Sequence, residues 1–299
     1  MNTNEYLQKV LSGQDLKDDS TELKELQTHR AEVEALIRKT FGSVPTIRYG
    51  GSLAKGTLIR ESYDLDVVCY MPCDGDDAGK TLEEIHRNVR DCLAQSYFVE
   101  EKTSALRLRG KDGENFRRDF HIDVVPGRFT DKADADCYIY QRSAEKCRLK
   151  TNLDVHIKYI RGSGVLDAIR LLKLWNARNL IGLKQFVFEL LIIELLDGME
   201  SKPLADQLTH VWEEIVASAD PISVEDPANP SGNDLTAVVK AAWPKLIATA
   251  KSTLETIRVA GWESVFGAVA VASGVSIVDR AQRAAASVSA PNKPWCSKG

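Results

Sequence analysis

The chain has no excess of positive charge. Across 299 residues, 39 Lys and Arg stand against 43 Asp and Glu, a formal net charge of −4. Binding to a long polynucleotide draws on a positive field, and no global field of that sign exists here. Any basic groove has to be local, so small phosphorylated ligands are favoured over long nucleic acid. Cysteine is sparse and unpatterned. Cys69, Cys73, Cys92, Cys137, Cys147 and Cys296 form no CxxC pair, and no Cys/His cluster has zinc spacing. They read as reduced thiols, and the expected location is the cytoplasm. The opening residues carry no apolar signal segment, and no apolar run is long enough to span a membrane. Internal repeats and low-complexity tracts are also missing.

What is present is organised around two short stretches, Tyr49–Gly50–Gly51–Ser52 and Tyr63–Asp64–Leu65–Asp66–Val67–Val68. They read as a strand, a glycine-serine turn, a short connection and a second strand. Side chains alternate along a strand, so Asp64 and Asp66 share one face while Leu65, Val67 and Cys69 share the other. Like charges side by side repel and call for a compensating cation. Carboxylate oxygens suit magnesium or manganese. A later stretch, Phe120–His121–Ile122–Asp123–Val124–Val125, puts Asp119, His121 and Asp123 on one face and Phe120, Ile122 and Val124 on the other. Asp64, Asp66 and Asp123 on neighbouring strands can hold two ions about 3.5–4 Å apart, the clamp used for in-line phosphoryl and nucleotidyl transfer. Gly51 lets the backbone approach a phosphate, and Ser52 adds a hydroxyl and an N–H.

Ahead of this core, residues 2–16 suggest a short helix ending near Gly13. Asp18, Asp19 or Ser20 can cap a second helix running to about Phe41, with Leu23, Leu26, Val33, Leu36 and Ile37 as its apolar stripe. Lys55 and Arg60, in the connection, read either as phosphate contacts or as solvated charges. Residues 80–97 read as a helix in which His86 is a surface or packing residue. Residues 104–109 alternate as a strand, and Lys111–Asp112–Gly113 signals a hairpin into the strand of Asp123. Arg107, Arg109, Arg117 and Arg118 then lie beside that strand. Strand charges are ordinarily solvated, so none is placed in the site. Cys137–Tyr140 reads as a last short strand.

From about Asn152 the helical period takes over and strand patterns stop. Helices are expected from Asn152 to Ile160, over 165–180, 184–196 and 204–217, from Asn233 or Asp234 towards Ala242, over 243–259 and over 262–285. Lys173 sits in the apolar run Leu172–Lys173–Leu174–Trp175. Such a lysine ordinarily snorkels to water; on a helix facing a cleft it neutralises a triphosphate. Phe186 reads as core, or as a platform on which a base stacks.

Three stretches together carry a resemblance. They are 49–57 (YGGSLAKGT) with the Asp64/Asp66 pair, Leu172–Trp175 followed by 185–191 (QFVFELL), and 225–233 (EDPANPSGN). In this order the chain resembles the oligoadenylate synthetase-like branch of the DNA polymerase beta-type nucleotidyltransferases, which includes the bacterial CD-NTases (cGAS/DncV-like nucleotidyltransferases). The first stretch alone marks the superfamily; the three cover most of the chain. The resemblance implies an α+β fold of two lobes, with an active-site cleft between a mixed-sheet nucleotidyltransferase lobe and a helical C-terminal lobe. We place the lobes at 1–150, with a bracing N-terminal helix, and 151–286, followed by a flexible tail at 287–299.

The resemblance also implies that Gly51 and Ser52 hold the donor triphosphate. Asp64, Asp66 and Asp123 then bind two Mg2+ or Mn2+ ions, and Asp123 helps activate the attacking hydroxyl. Lys173 matches a triphosphate-binding lysine, and Phe186 falls where relatives often carry a base-stacking tyrosine. The zinc insertion of the animal DNA sensor and an obvious basic platform for double-stranded RNA are both missing. The implied product is a cyclic di- or trinucleotide messenger made from NTPs, ATP among them, in anti-phage defence. A linear oligonucleotide synthetase, a CCA-adding tRNA enzyme, an antibiotic nucleotidyltransferase and a catalytically silent nucleotide-binding module are the alternatives. The end Ser297–Lys298–Gly299 is similar to that of relatives conjugated by a ubiquitin-like ligation system, and an ordinary frayed end fits it too. A conjugation or activator protein is therefore an expected partner; a membrane is not.

Overall fold

The computed structural model describes residues 2–16, 20–62, 64–111, 122–142 and 147–269. Among these, seven strands form one mixed sheet in the order β1-β2-β5-β4-β3, with β6 on β5 and β7 on β6. The strands are β1 Thr46–Tyr49, β2 Leu65–Met71, β3 Tyr97–Glu101, β4 Leu106–Gly110, β5 Ile122–Phe129, β6 Cys137–Tyr140 and β7 Arg148–Thr151. Only β2 and β5 pair in parallel; the other pairs are antiparallel.

Strand alternation sorts the side chains as the apolar pattern requires. Leu65, Val67, Cys69, Ile122 and Val124 pack into one cluster with Leu26, Val33 and Ile37 of α2 (Thr21–Phe41) and Ile85, Val89 and Leu93 of α4 (Leu82–Leu93). Val68 and Tyr70 lie on the opposite face, against Phe129, Cys137 and Ile139. That is the face on which Asp66 and Asp123 fall. Ser20 caps α2 by accepting the Leu23 N–H, whereas the alternative caps Asp18 and Asp19 lie outside the described residues.

The helical lobe comprises α5 Leu153–Arg161, α6 Leu166–Arg178, α7 Gln185–Leu195, α8 Leu204–Ala217, α9 Thr236–Ala260 and the short α10 Glu263–Phe266. Its core packs Trp175 against Trp212 at 5.7 Å between centroids, and Trp212 against Trp262 at 5.7 Å, both pairs tilted. Each such aromatic contact adds about 0.5–1.5 kcal/mol beyond area burial. α1 (Thr3–Ser12) begins the chain but packs here: Tyr6, Leu7, Val10 and Leu11 join the helical core, and Tyr6 Oη donates to Gly267 O at 2.7 Å. The α1 helix therefore braces the helical lobe.

Several elements differ from the sequence pattern. The helix expected over 80–97 starts from a Thr81/Glu84 capping box and stops at Leu93, and Tyr97–Glu101 turns into an edge strand on β4. Its Glu100 and Glu101 have Arg109 and Arg90 as partners, and its apolar start, Tyr97–Phe98–Val99, follows the helical run after only three residues. β7 was also unforeseen. The two helices expected either side of residue 243 are one, α9, which runs through Pro244. Proline removes an interior N–H, but Trp243 and Leu246 are buried and pin the helix across it. The glycine-serine turn is itself a short helix, α3 (Gly51–Lys55). The hairpin tip after Lys111, the strand start at Asp119–His121, Arg117 and Arg118, the helix beyond 269 and the tail 287–299 lie outside the described residues.

Candidate active site

The site begins where β1 hands over to α3. Gly50 N–H donates to Asp66 O at 3.0 Å, which pins the turn to the second strand. Gly51 follows with φ +68°, a region that favours glycine. A Cβ on Gly51 would lie 1.9 Å from Asp66 Oδ2, an impossible overlap. The turn thus lies directly against the carboxylate, and Ser52, which is buried, follows it as the next residue of α3. Gly51→Ala adds both left-handed strain, about 1–3 kcal/mol, and a clash that displaces Asp66. We expect activity to fall about 100-fold, the usual effect of a misplacement near 1 Å, with a thermal midpoint lowered by only a few degrees. Near-normal turnover would show that the turn and Asp66 are not one unit.

The carboxylates are set by register. Asp66 and Asp123 are direct partners on parallel strands, and Asp64 lies two residues before Asp66, just ahead of the first residue of β2. Burial pushes the Asp66 carboxyl up to about 7. The charge of Lys55 opposes that shift, and those of Asp64, Asp123 and Glu189 add to it. Asp66 is therefore a carboxylate short of positive charge. Asp123 is answered differently. Arg107 on β4 lies opposite it, with Nε donating to Oδ1 and Nη2 to Oδ2, each at 2.8 Å.

The donor set suits a hard divalent cation, since carboxylate oxygens are its preferred ligands and Asp64, Asp66 and Asp123 come from two adjoining stretches of chain at the paired ends of β2 and β5. Among the described residues, however, no three His, Cys, Asp or Glu side chains are already grouped to hold a metal. Both oxygens of Asp123 are held by Arg107 in this structure.

Behind α3 lies a buried ionic cluster. Lys173 is 1% exposed and Glu189 fully buried. Lys173 Nζ donates to Thr57 O (2.9 Å), Thr57 Oγ1 (3.3 Å) and Glu189 Oε1 (3.0 Å). Lys55 Nζ donates to Glu189 Oε2 at 2.5 Å, and Thr57 Oγ1 to Glu189 Oε1 at 2.5 Å. An ammonium has three donors, and all three of Lys173 are spent on protein. Lys173 neither snorkels nor presents a donor to a triphosphate in this structure. Its place is one step back, holding Glu189, which holds Lys55. Arg60 pairs with Glu22.

Phe186, at the start of α7, is half-buried. Its ring centroid lies 4.6 Å from that of His156, and Lys55 Nζ lies 5.3 Å from it. His156 Nε2 is 2.6 Å from the buried Asp226 Oδ1. Asp226 also accepts from Ala228 N at 2.9 Å and Asn233 Nδ2 at 2.8 Å. The 225–233 loop is thereby folded on its own aspartate and tied through His156 to Phe186. The sequence puts Arg107 beside the strand of Asp123 but outside the site, and gives Thr57, His156 and Glu189 no role of their own. Glu189 did carry a signal, because a carboxylate inside Phe188–Glu189–Leu190–Leu191 needs a buried partner.

No family model matches the chain. A cyclic AMP-AMP-AMP synthase from Escherichia coli (strain MS 115-1) is 24% identical over 267 residues, covering 73% of this chain and 80% of that protein. Among solved structures, CdnC of E. coli MS115-1 with ATP superposes with TM-score 0.63 at 18% identity, over 89% of this chain and 98% of that one. The Bradyrhizobium diazoefficiens CD-NTase CdnG in complex with GTP gives 0.65 at 14% identity, over 89% and 96%. The chain has the fold of the CD-NTases. The Vibrio cholerae DncV cyclic AMP-GMP synthase, another of this fold, gives 0.58 at 14% identity, over 88% and 84%. Two lobes with a mixed sheet and a helical half are thus common to this chain and the CD-NTases.

Proposed function

We propose that the chain is a divalent-metal-dependent nucleotidyltransferase that joins NTPs into a cyclic di- or trinucleotide, serving as a second messenger in bacterial anti-phage signalling. The observation that carries it is the register of Asp66 on Asp123 beneath the Gly51 turn, whose backbone leaves no room for a side chain against Asp66. The 24% identical cyclic AMP-AMP-AMP synthase and the CD-NTase fold support the same reading. Among the described residues no helix is long and apolar enough to cross a membrane.

In this reading Gly51 and Ser52 bring backbone N–H groups and a hydroxyl to the donor triphosphate. Asp64, Asp66 and Asp123 would hold two Mg2+ or Mn2+ ions, which would supply charge neutralisation at the phosphates. Asp123 helps take the proton of the attacking ribose hydroxyl. The hydroxyl oxygen forms a bond to the α-phosphorus, and pyrophosphate leaves. A last transfer of the same kind, from the oligomer's own hydroxyl to its own α-phosphorus, closes the ring. Lys173 acts through Glu189 and Lys55, and Phe186 carries a base at the cleft.

The test is incubation of the purified protein with four labelled NTPs and Mg2+ or Mn2+, then phosphatase and mass spectrometry. A phosphatase-resistant species is expected, because a cyclic product has no terminal phosphate. A phosphatase-sensitive oligomer would replace the cyclic reading with the linear one. No product with either metal would overturn the enzyme reading for the chain by itself.

The raised pKa of Asp66 gives a pH test. Its folded value lies above the unfolded one, so its contribution to the metal-free fold is present below about 4 and lost as pH rises through about 7. A divalent cation competes with that proton. The rise in melting temperature on adding Mn2+ should therefore be larger at pH 8 than at pH 6, and Asp66→Asn should remove the difference. Equal shifts at both pH values would refute the assignment of Asp66 as a ligand.

A further inference from the structure

Arg107 and Asp123 face each other across β4 and β5, and both oxygens of Asp123 sit in the guanidinium fork at 2.8 Å. The pair is mostly enclosed, the Arg107 side chain being 23% and that of Asp123 17% exposed. A bidentate pair of this kind is among the stronger hydrogen-bonded contacts in proteins. Arg107 therefore occupies the oxygens that a cation would require. The described residues give a second observation to match. No group of three carboxylate, imidazole or thiol side chains is assembled for a metal, although Asp66 and Asp123 are register partners.

We propose that Arg107 is a positioning residue that stands in for the cation's charge, holding Asp123 in the metal-free protein and ceding at least one of its oxygens when a divalent ion enters. The inference rests on the metal-dependent reading above. The register partners Asp66 and Asp123 repel, and a fixed guanidinium on Asp123 relieves that repulsion while the ions are away. The same guanidinium then opposes metal entry, since each ion must displace a charge-assisted hydrogen bond. A triphosphate lowers this barrier on both sides. Its oxygens complete the coordination of the cation and offer Arg107 a new acceptor. Loading of metal and nucleotide would then be coupled through one side chain.

The test uses the full chain without nucleotide, titrated with Mn2+ and followed by electron paramagnetic resonance. Arg107→Gln should tighten Mn2+ binding by about tenfold or more, the equivalent of one lost charge-assisted contact. Arg107→Lys keeps the charge but not the fork, so it should fall in between; it carries the comparison if the Gln variant does not fold. Simple removal of a nearby positive charge would tighten binding whatever residue 123 is. The proposal instead requires the gain to vanish when Asp123→Asn is already in place. Unchanged or weaker binding in both Arg107 variants, with wild-type binding lost in Asp66→Asn, overturns the role of Arg107 and leaves the metal site standing. No Mn2+ binding by any variant without nucleotide overturns the role of Arg107, and if none binds with NTP present either, the metal-dependent reading falls with it.

Discussion

Product formation should fall by about 10³-fold or more in the double variant Asp64→Asn plus Asp66→Asn, with the fold intact. The magnitude follows from what the carboxylates do. A metal clamp contributes several kcal/mol of transition-state stabilisation, and each 1.36 kcal/mol is tenfold in rate. Asn keeps the size and strand position of each side chain and removes the charge. Asp66 is the more consequential of the two, because Gly50 bonds its carbonyl and Gly51 lies against its carboxyl. Replacing its carboxylate relieves the unfavourable burial that lifts its pKa to about 7, so the metal-free variant should melt no lower than wild type near pH 8. Lost turnover together with retained stability separates a catalytic role from a structural one. A double variant that still makes product would remove these aspartates from the chemistry.

The site was legible in the sequence to the extent that local alternation determines it. Alternation puts Asp66 on the face opposite Leu65 and Val67, which pack into the sheet's main core, whereas Asp64, expected on the same strand, lies just ahead of β2. Gly51 was legible as a close-approach residue, although what it approaches, Asp66 itself, required the structure. Arg107 was visible beside the strand of Asp123 but not opposite Asp123, because alternation gives a face and says nothing about register between strands. Lys173 was read with the partner outside the protein, when its partner was Glu189 on the next helix. Both stood as single charges in apolar runs, and pairing them needed knowledge of how α6 meets α7. β3 escaped because its Tyr97–Phe98–Val99 follows the helical run of α4 after only three residues, and β7 because it is short and polar, with Lys150 paired to Asp136.

The largest loss of stability should come from Glu189→Leu. In the folded chain the Glu189 carboxylate lies between two ammonium groups and a hydroxyl, with no exposure to solvent. Burial alone pushes its carboxyl up, but the charges of Lys173 and Lys55 outweigh it and hold the pKa below the ordinary value. Lys173 is shifted down by its own burial, against the opposing pull of Glu189. Removing the carboxylate strands a buried ammonium, which costs roughly 3–5 kcal/mol when one partner of a buried pair is deleted. The melting temperature should fall on the order of 10 °C. A second change discriminates the cause. Glu189→Leu combined with Lys173→Met replaces the pair with apolar groups of similar volume, and such replacements are often neutral or stabilising. The double variant should therefore recover most of the lost stability while product formation stays low, since Lys55 then lacks the carboxylate that fixes its ammonium behind Asp66. A fall of under 2 °C for Glu189→Leu alone would mean that water reaches the cluster and the pair is not buried in solution. Full activity in the double variant would mean that Lys55 needs no anchor, and that the cluster serves the packing of α6 against α7 alone.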